Sequence, residues 1–320
     1  MRIRYAALAA LTIALLSCRF AATRTAADNV RWSRSDQHIA LLRNDTVLWQ
    51  LNFNPAEDKP YFHPLRTPSG RDIVLKRPAD HPWHRGLWFS WKKINGINYW
   101  EEDPKAGVSE GRSLIKNVSS KLYKDFSARI TIDITYQDNN GPTIEERRVL
   151  HISSPLGSEG YAVTWDQSFT ALKEVELDLE KPAKHGGVKW GGYAGLSFRG
   201  AATLNNPLFR ASNGWSNVED ITGYGGKAVW MDVTASTADE PSHPVGITIF
   251  DHPGNRRYPT PWYIWYAAGQ HLFFTPSILF DGPLLLRKGE KLHLKYQTYI
   301  HDGKPTIKQM EQMSQVFGSY

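Results

Sequence analysis

The sequence predicts an all-β protein, a large antiparallel β-sandwich with one short C-terminal helix. Three observations lead there. Short runs in which apolar and polar residues alternate follow one another along most of the chain. Glycine, proline, asparagine and aspartate punctuate those runs, and helical spacing is scarce. Strands of this length, spread without a break, suit a sandwich better than a fold of alternating strands and helices.

Taken in order, the chain opens MRIRYAALAALTIALLSC. Arg2 and Arg4 precede an apolar run, Tyr5 to Leu16, that is too short to span a bilayer comfortably. This is the pattern of an export signal. The run ends at Ser17-Cys18, and Cys18 is the sole cysteine of the 320 residues. The expectation is a lipoprotein-type signal over residues 1–18, with a lipid anchor on Cys18 as the chain's only membrane contact. A tether over residues 19–28 then leads to a single sandwich domain over 29–320. With no second cysteine, disulfides play no part.

Within the domain, strands are readable at 47–53, 161–169, 229–233, 245–250, 262–266, 272–276 and 291–301. Residues 128–136 alternate cleanly, Asp138-Asn-Asn-Gly141 supplies a turn, and 143–152 returns, which predicts a hairpin with one wet face. Residues 171–179 continue the alternation before them. The terminal helix is read from Ile307, Met310, Met313 and Phe317, spaced three and four apart.

Composition narrows the function classes. A formal charge of +6 with no long basic run makes nucleic acid a poor partner. Twelve tryptophans and fourteen tyrosines are many for this length. Such rings bury one edge and offer a polar contact at the other, which suits sugar clefts as well as sandwich cores.

Three clusters could carry chemistry. The first is His81, His84 and Arg85, flanked by Asp80 and Trp88 and followed by Glu101. Histidine exchanges protons near neutral pH, and arginine grips a carboxylate with two bonds. The second is Trp190 to Arg199, where glycines leave backbone accessible and Arg199 ends a short strand. Its spacing is not that of a phosphate loop. The third repeats Asp-His-Pro at 251–253 and adds Asn255 and Arg257 on a loop stiffened by Pro253, Pro259 and Pro261.

The blocks DHPWHRGLWFSWKKINGINYWEE, GGYAGLSFRG, IFDHPGNRRYPTPWYIW and FFTPSILFDGPLLLRKGEKLHLKYQTYIHDG occur in that order between Tyr61 and Gly303. In this the chain resembles the bacterial PmoA-like family, whose members are commonly labelled "methane oxygenase PmoA". Trp83 stands where that family frequently has histidine. The resemblance implies an exported bacterial protein and a β-sandwich similar to that of galactose mutarotase-like proteins. It does not carry methane oxidation with it, because a membrane oxygenase subunit needs spans that this sequence lacks after its signal.

The leading expectation is an exported carbohydrate-active enzyme, a hydrolase or lyase on a glycoside or oxidised sugar, periplasmic or membrane-anchored. His84 would be the acid or base, with His81, Asp251 and His252 completing the catalytic set. Arg85, Arg199, Trp88, Glu101, Asn255 and Arg257 would hold the substrate. One alternative is a non-catalytic glycan-binding surface lipoprotein. The other is a metal-dependent enzyme, in which His81 and His84 are joined by Asp251 or His252. The leading reading needs no cofactor.

Overall fold

A computed structural model of the chain describes residues 29–180 and 192–320. The expected signal, tether and Cys18 anchor, and the start of the glycine run at Trp190 and Gly191, lie outside the described residues.

Two nine-stranded sheets face each other. One orders Val30–Arg34, His38–Arg43, Thr46–Asn52, Tyr61–Leu65, Leu87–Ser90, Gly195–Arg199, His271–Pro276, Pro261–Ala267 and Ile221–Lys227 from edge to edge. The other orders Ser216–Asn217, Leu204–Ala211, Trp230–Thr237, Val245–Asp251, Lys291–Asp302, Gly160–Ala171, Gly141–Ile152, Ala128–Asp138 and Arg112–Leu122. A small sheet of Leu284–Leu286, Val175–Asp178, Lys93–Ile94 and Ile97–Asn98 adds four strands. Neighbouring strands in both large sheets run antiparallel. The β-sandwich expected from alternation is the fold observed.

Alternation decides which face each side chain takes. Leu87, Phe89, Leu272, Phe274, Trp262 and Ile264 of the first sheet meet Ile247, Ile249, Leu292, Leu294, Val163 and Trp165 of the second in one buried core. The residues between them point the other way. On the first sheet these are Tyr61, Trp88, Tyr263 and Phe273, which form a second, smaller aromatic cluster on the outer face. On the second sheet, Trp230 and Phe250 point outward and are covered by the helix Ile307–Gly318 through Met310 and Phe317. Thr306 caps that helix by accepting from the Gln309 backbone, and Gln309 returns the bond.

The structure adds strands that the alternation did not reveal. Arg112–Leu122 is a sheet edge whose outer residues are exposed, and Ile221–Lys227 is a glycine-rich edge. Edges bury only part of one face, so their sequences carry a weak apolar period.

Candidate functional site

The outer aromatic cluster lies under a loop. After the first proline of the segment, His81 N–H donates to the Pro78 carbonyl, and His84 N–H to that of His81. This winds residues 78–86 back over the sheet. Gly86 then enters the strand with φ of +78°, and a Cβ there would sit 2.6 Å from the Phe62 carbonyl oxygen. Only glycine lets the loop dock this closely.

Cross-strand register builds the floor. Phe273 lies between Arg199 on one neighbouring strand and Trp265 on the other, and Tyr61 pairs with Trp88. His84 is sandwiched with its ring 5.1 Å from Phe273, 5.1 Å from Trp88 and 4.6 Å from His81. His81 meets Trp265 edge-on at 5.2 Å. His81, His84, Trp265 and Phe273, together with Trp83, Trp100, Tyr193 and Tyr263, line a cavity of about 230 Å³.

Its polar groups are few. Glu101 lines the cavity, held by Lys92 on both carboxylate oxygens and by the Asn98 amide at 2.7 Å. Lys92 is buried, also pairs with Glu180 at 3.1 Å, and lies over the Tyr193 ring. Three buried polar atoms of the lining have no protein partner: His84 Nδ1, Trp83 Nε1 and the Tyr263 hydroxyl. Burial holds His84 well below the usual histidine value, helped by the charges of His81 and Arg199, so this ring is neutral at pH 7. Burial pushes Tyr193 and Tyr263 well above the usual phenol value.

At one end of the cavity stands a tight group. Asp80 Oδ2 receives His81 Nδ1 at 2.8 Å and His271 Nε2 at 2.7 Å. Arg199 reaches both Asp80 oxygens, at 3.1 and 3.0 Å. Partial burial pushes the Asp80 carboxyl up, but the bond from His81 and the Arg199 charge outweigh it and hold the group below its ordinary value. His271 is driven down to about 4 by burial and by Arg199.

The expected site residues divide. His81, His84 and Glu101 line the cavity, and Trp88 lies buried beneath it. Arg199 is buried and positions Asp80 and the Gln270 carbonyl, so it holds protein where it was expected to hold substrate. Arg85 is also buried; it pairs with Glu102, and with Glu57 at 3.7 Å, beneath the loop.

The third cluster is not in the cavity. Asp251 points between the two sheets, where its oxygens accept from the Asn255 amide at 2.7 Å and the Thr260 N–H at 2.9 Å. Asn255 also bonds both ways with the Lys295 backbone. Arg257 spends its guanidinium on the carbonyls of Ile278, Gly282 and Pro283. His252 packs on Phe317 of the terminal helix and meets the Tyr320 carbonyl at 3.2 Å. These four are turn-closing residues, and neither Asp251 nor His252 partners His84 or joins His81 in a metal set. The loop's own donors and acceptors claimed them first. His271, Tyr263 and Phe273 were missed, although His271 and Phe273 share one face of an alternating strand.

A wider groove of about 740 Å³ lies beside the helix, lined by Arg71, Asp302, His243 and Met313. Its main charges already pair with each other, Arg71 with Asp302 at 3.0 Å and with Glu240 at 3.4 Å. The aromatic cavity is the better candidate site.

Fold and cavity together define an all-β sandwich protein with a small aromatic pocket on the outer face of one sheet. Residues 38–315 match a family of unknown function, DUF6807, and the chain belongs to it. No curated protein matches. Among solved structures, the chain is similar to an α-galactosidase from Lactobacillus brevis at 9% identity and TM-score 0.41, covering 91% of this chain and 42% of that one. A putative aldose 1-epimerase from Klebsiella pneumoniae subsp. pneumoniae is similar at 8% identity and TM-score 0.43, over 88% and 83% of the two chains. A galactose mutarotase related enzyme from Lactobacillus acidophilus is similar at 7% identity and TM-score 0.32, over 85% and 97%. The chain thus spans about two fifths of the α-galactosidase. The architecture described above rests on the strand pairing itself.

Proposed function

We propose that the cavity binds one sugar ring and that the protein is a carbohydrate-active enzyme with Glu101 as its acid–base group. The observation that carries this is the pairing of aromatic walls with unpartnered polar atoms. A purely apolar ligand would leave His84 Nδ1, Trp83 Nε1 and the Tyr263 hydroxyl without bonds, at a cost of about 1–3 kcal/mol each. A sugar has C–H faces that stack on rings and hydroxyls that both donate and accept. The neutral His84 ring offers a lone pair to such a hydroxyl, and Trp83 offers a donor.

Lys92 and Asn98 hold the Glu101 side chain in one orientation at the cavity wall, which suits proton abstraction. Glycoside hydrolysis ordinarily uses two carboxylates. Glu101 is the one carboxylate among the described lining residues, which favours a lyase on an oxidised sugar. Export and anchoring at Cys18, with the likeness to PmoA-like proteins, belong to the same reading; mass spectrometry of the mature N-terminus tests the anchor.

The enzyme is tested with Glu101→Gln. Turnover of a panel of uronic-acid oligosaccharides is expected to fall at least about 100-fold with the fold intact. Trp265→Ala is expected to weaken sugar affinity about tenfold, the loss of one stacking face. Unchanged turnover in Glu101→Gln removes the catalytic assignment. A non-catalytic glycan-binding role is supported by the neutrality of His84; sugar affinity without product after long incubation would select it.

A further inference from the structure

We infer that Asp80, His81 and His271 form a binding site for one divalent transition-metal ion, of the zinc, manganese or iron(II) class, at the end of the aromatic cavity. The three donor atoms are Asp80 Oδ2, His81 Nδ1 and His271 Nε2, and their separations are 2.7, 2.8 and 3.1 Å. Three ligands on one face of an ion, each at about 2.1 Å and at right angles, lie about 3.0 Å apart. Two histidines and one carboxylate so arranged are a known donor set for such ions, with the opposite positions left open.

Hydrogen bonding alone does not complete this triangle. Each of the two ring nitrogens carries at most one proton, so at most two protons serve three short edges. If both nitrogens donate to Asp80, the third edge, 3.1 Å between the two nitrogens, has no proton in it and brings two N–H groups side by side. If either keeps its proton on its far nitrogen, a bare lone pair faces the carboxylate or the other ring. A cation at the centre satisfies all three lone pairs at once.

The surroundings fit the same role. Arg199 grips both Asp80 oxygens and holds the carboxylate's orientation, as outer partners of metal ligands do. Trp265 stacks on His271 at 4.4 Å, fixing that ring. His271 leads a strand, with its side chain on the outer face beside Phe273. His81 also lines the cavity, so the ion would stand at its wall.

The inference is independent of the sugar reading, because it is tested with metal alone. Full-length protein is stripped with chelator and titrated calorimetrically with Zn²⁺ and, separately, Mn²⁺. One equivalent is expected to bind, and His271→Ala and Asp80→Asn are each expected to weaken binding at least 100-fold. His252→Ala, in the other Asp-His-Pro, is expected to bind as wild type. Co²⁺ loaded into wild type gives a readout that depends on no variant's folding: d–d absorption bands of a protein-bound ion are expected. No saturable binding of any of the three ions would overturn the site, leaving Arg199 as the only positive partner Asp80 needs. Binding undiminished in a folded His271→Ala would overturn it as well. Loss of turnover in Glu101→Gln with metal binding intact would leave both readings standing.

Discussion

Asp-His-Pro occurs twice, at 80–82 and 251–253, and the fold puts the two copies to different uses. At the first, the tripeptide sits in a loop that folds over the outer face of a sheet. Asp80 remains partly exposed and His81 looks into a cavity. At the second, the tripeptide ends a strand, and strand parity turns Asp251 into the space between the sheets. There its two oxygens receive two protein donors. Around the first copy several polar atoms are left open; around the second almost all are spoken for. Identical side chains become site or scaffold according to whether neighbouring backbone claims their hydrogen bonds.

Matched substitutions should break this pairing most sharply. Asp251→Asn must place an amide NH₂ against either the Asn255 amide or the Thr260 N–H, both donors. It is expected to lower stability by about 3 kcal/mol in urea unfolding. Asp80→Asn keeps an acceptor for Arg199 and can present its NH₂ to a ring nitrogen. It is expected to cost less than about 1 kcal/mol. Equal losses at both positions would mean that the first copy is scaffold too.

The ionic cluster beneath the first copy supplies the next effect. Lys59 is buried, bonds Ser109 at 2.8 Å and lies 3.8 Å from Glu102, the partner of Arg85. Burial drives its amine down to about 8 from the usual 10.5, against the pull of Glu102. Its folded value is below its unfolded one, so the unfolded chain binds more protons between those values and stability rises with pH across that window. Relative to Lys59→Met, wild type is expected to gain about 2 kcal/mol between pH 7.5 and pH 10. Parallel curves would show that this ammonium is not desolvated as its burial implies.

The smallest effect is expected at His252, beside the second copy. His252→Ala should leave turnover unchanged and lower stability by less than about 1 kcal/mol, since it loses one contact with Phe317 and one with the Tyr320 carbonyl. A large drop in turnover would restore it as a site residue.

Legibility followed the two-residue period. The hairpin at 128–152 and the strands at 161–169, 245–250 and 291–301 were readable because a buried face imposes a strict two-residue period. The edge strands Arg112–Leu122 and Ile221–Lys227 were not, for want of that burial. In the site, His81, His84, Trp88 and Glu101 were found because they are close in sequence and chemically unusual. Tyr263, Phe273 and His271 escaped notice because each looks like ordinary strand filling. They reach the cavity through antiparallel register, about 180 residues from the loop they face.

The sequence by itself determined that the chain is a β-sandwich, through the period of its apolar residues. It also determined that the segment at 80–101 holds unusual chemistry, through residue type and density. Tertiary structure alone decided that Asp80, His81 and His271 converge while Asp251 and His252 stand apart. Strand pairing brings distant residues within about 3 Å, and strand parity turns Asp251 into the space between the sheets while His252 meets the terminal helix. Neither follows from local composition, because both depend on which strands become neighbours.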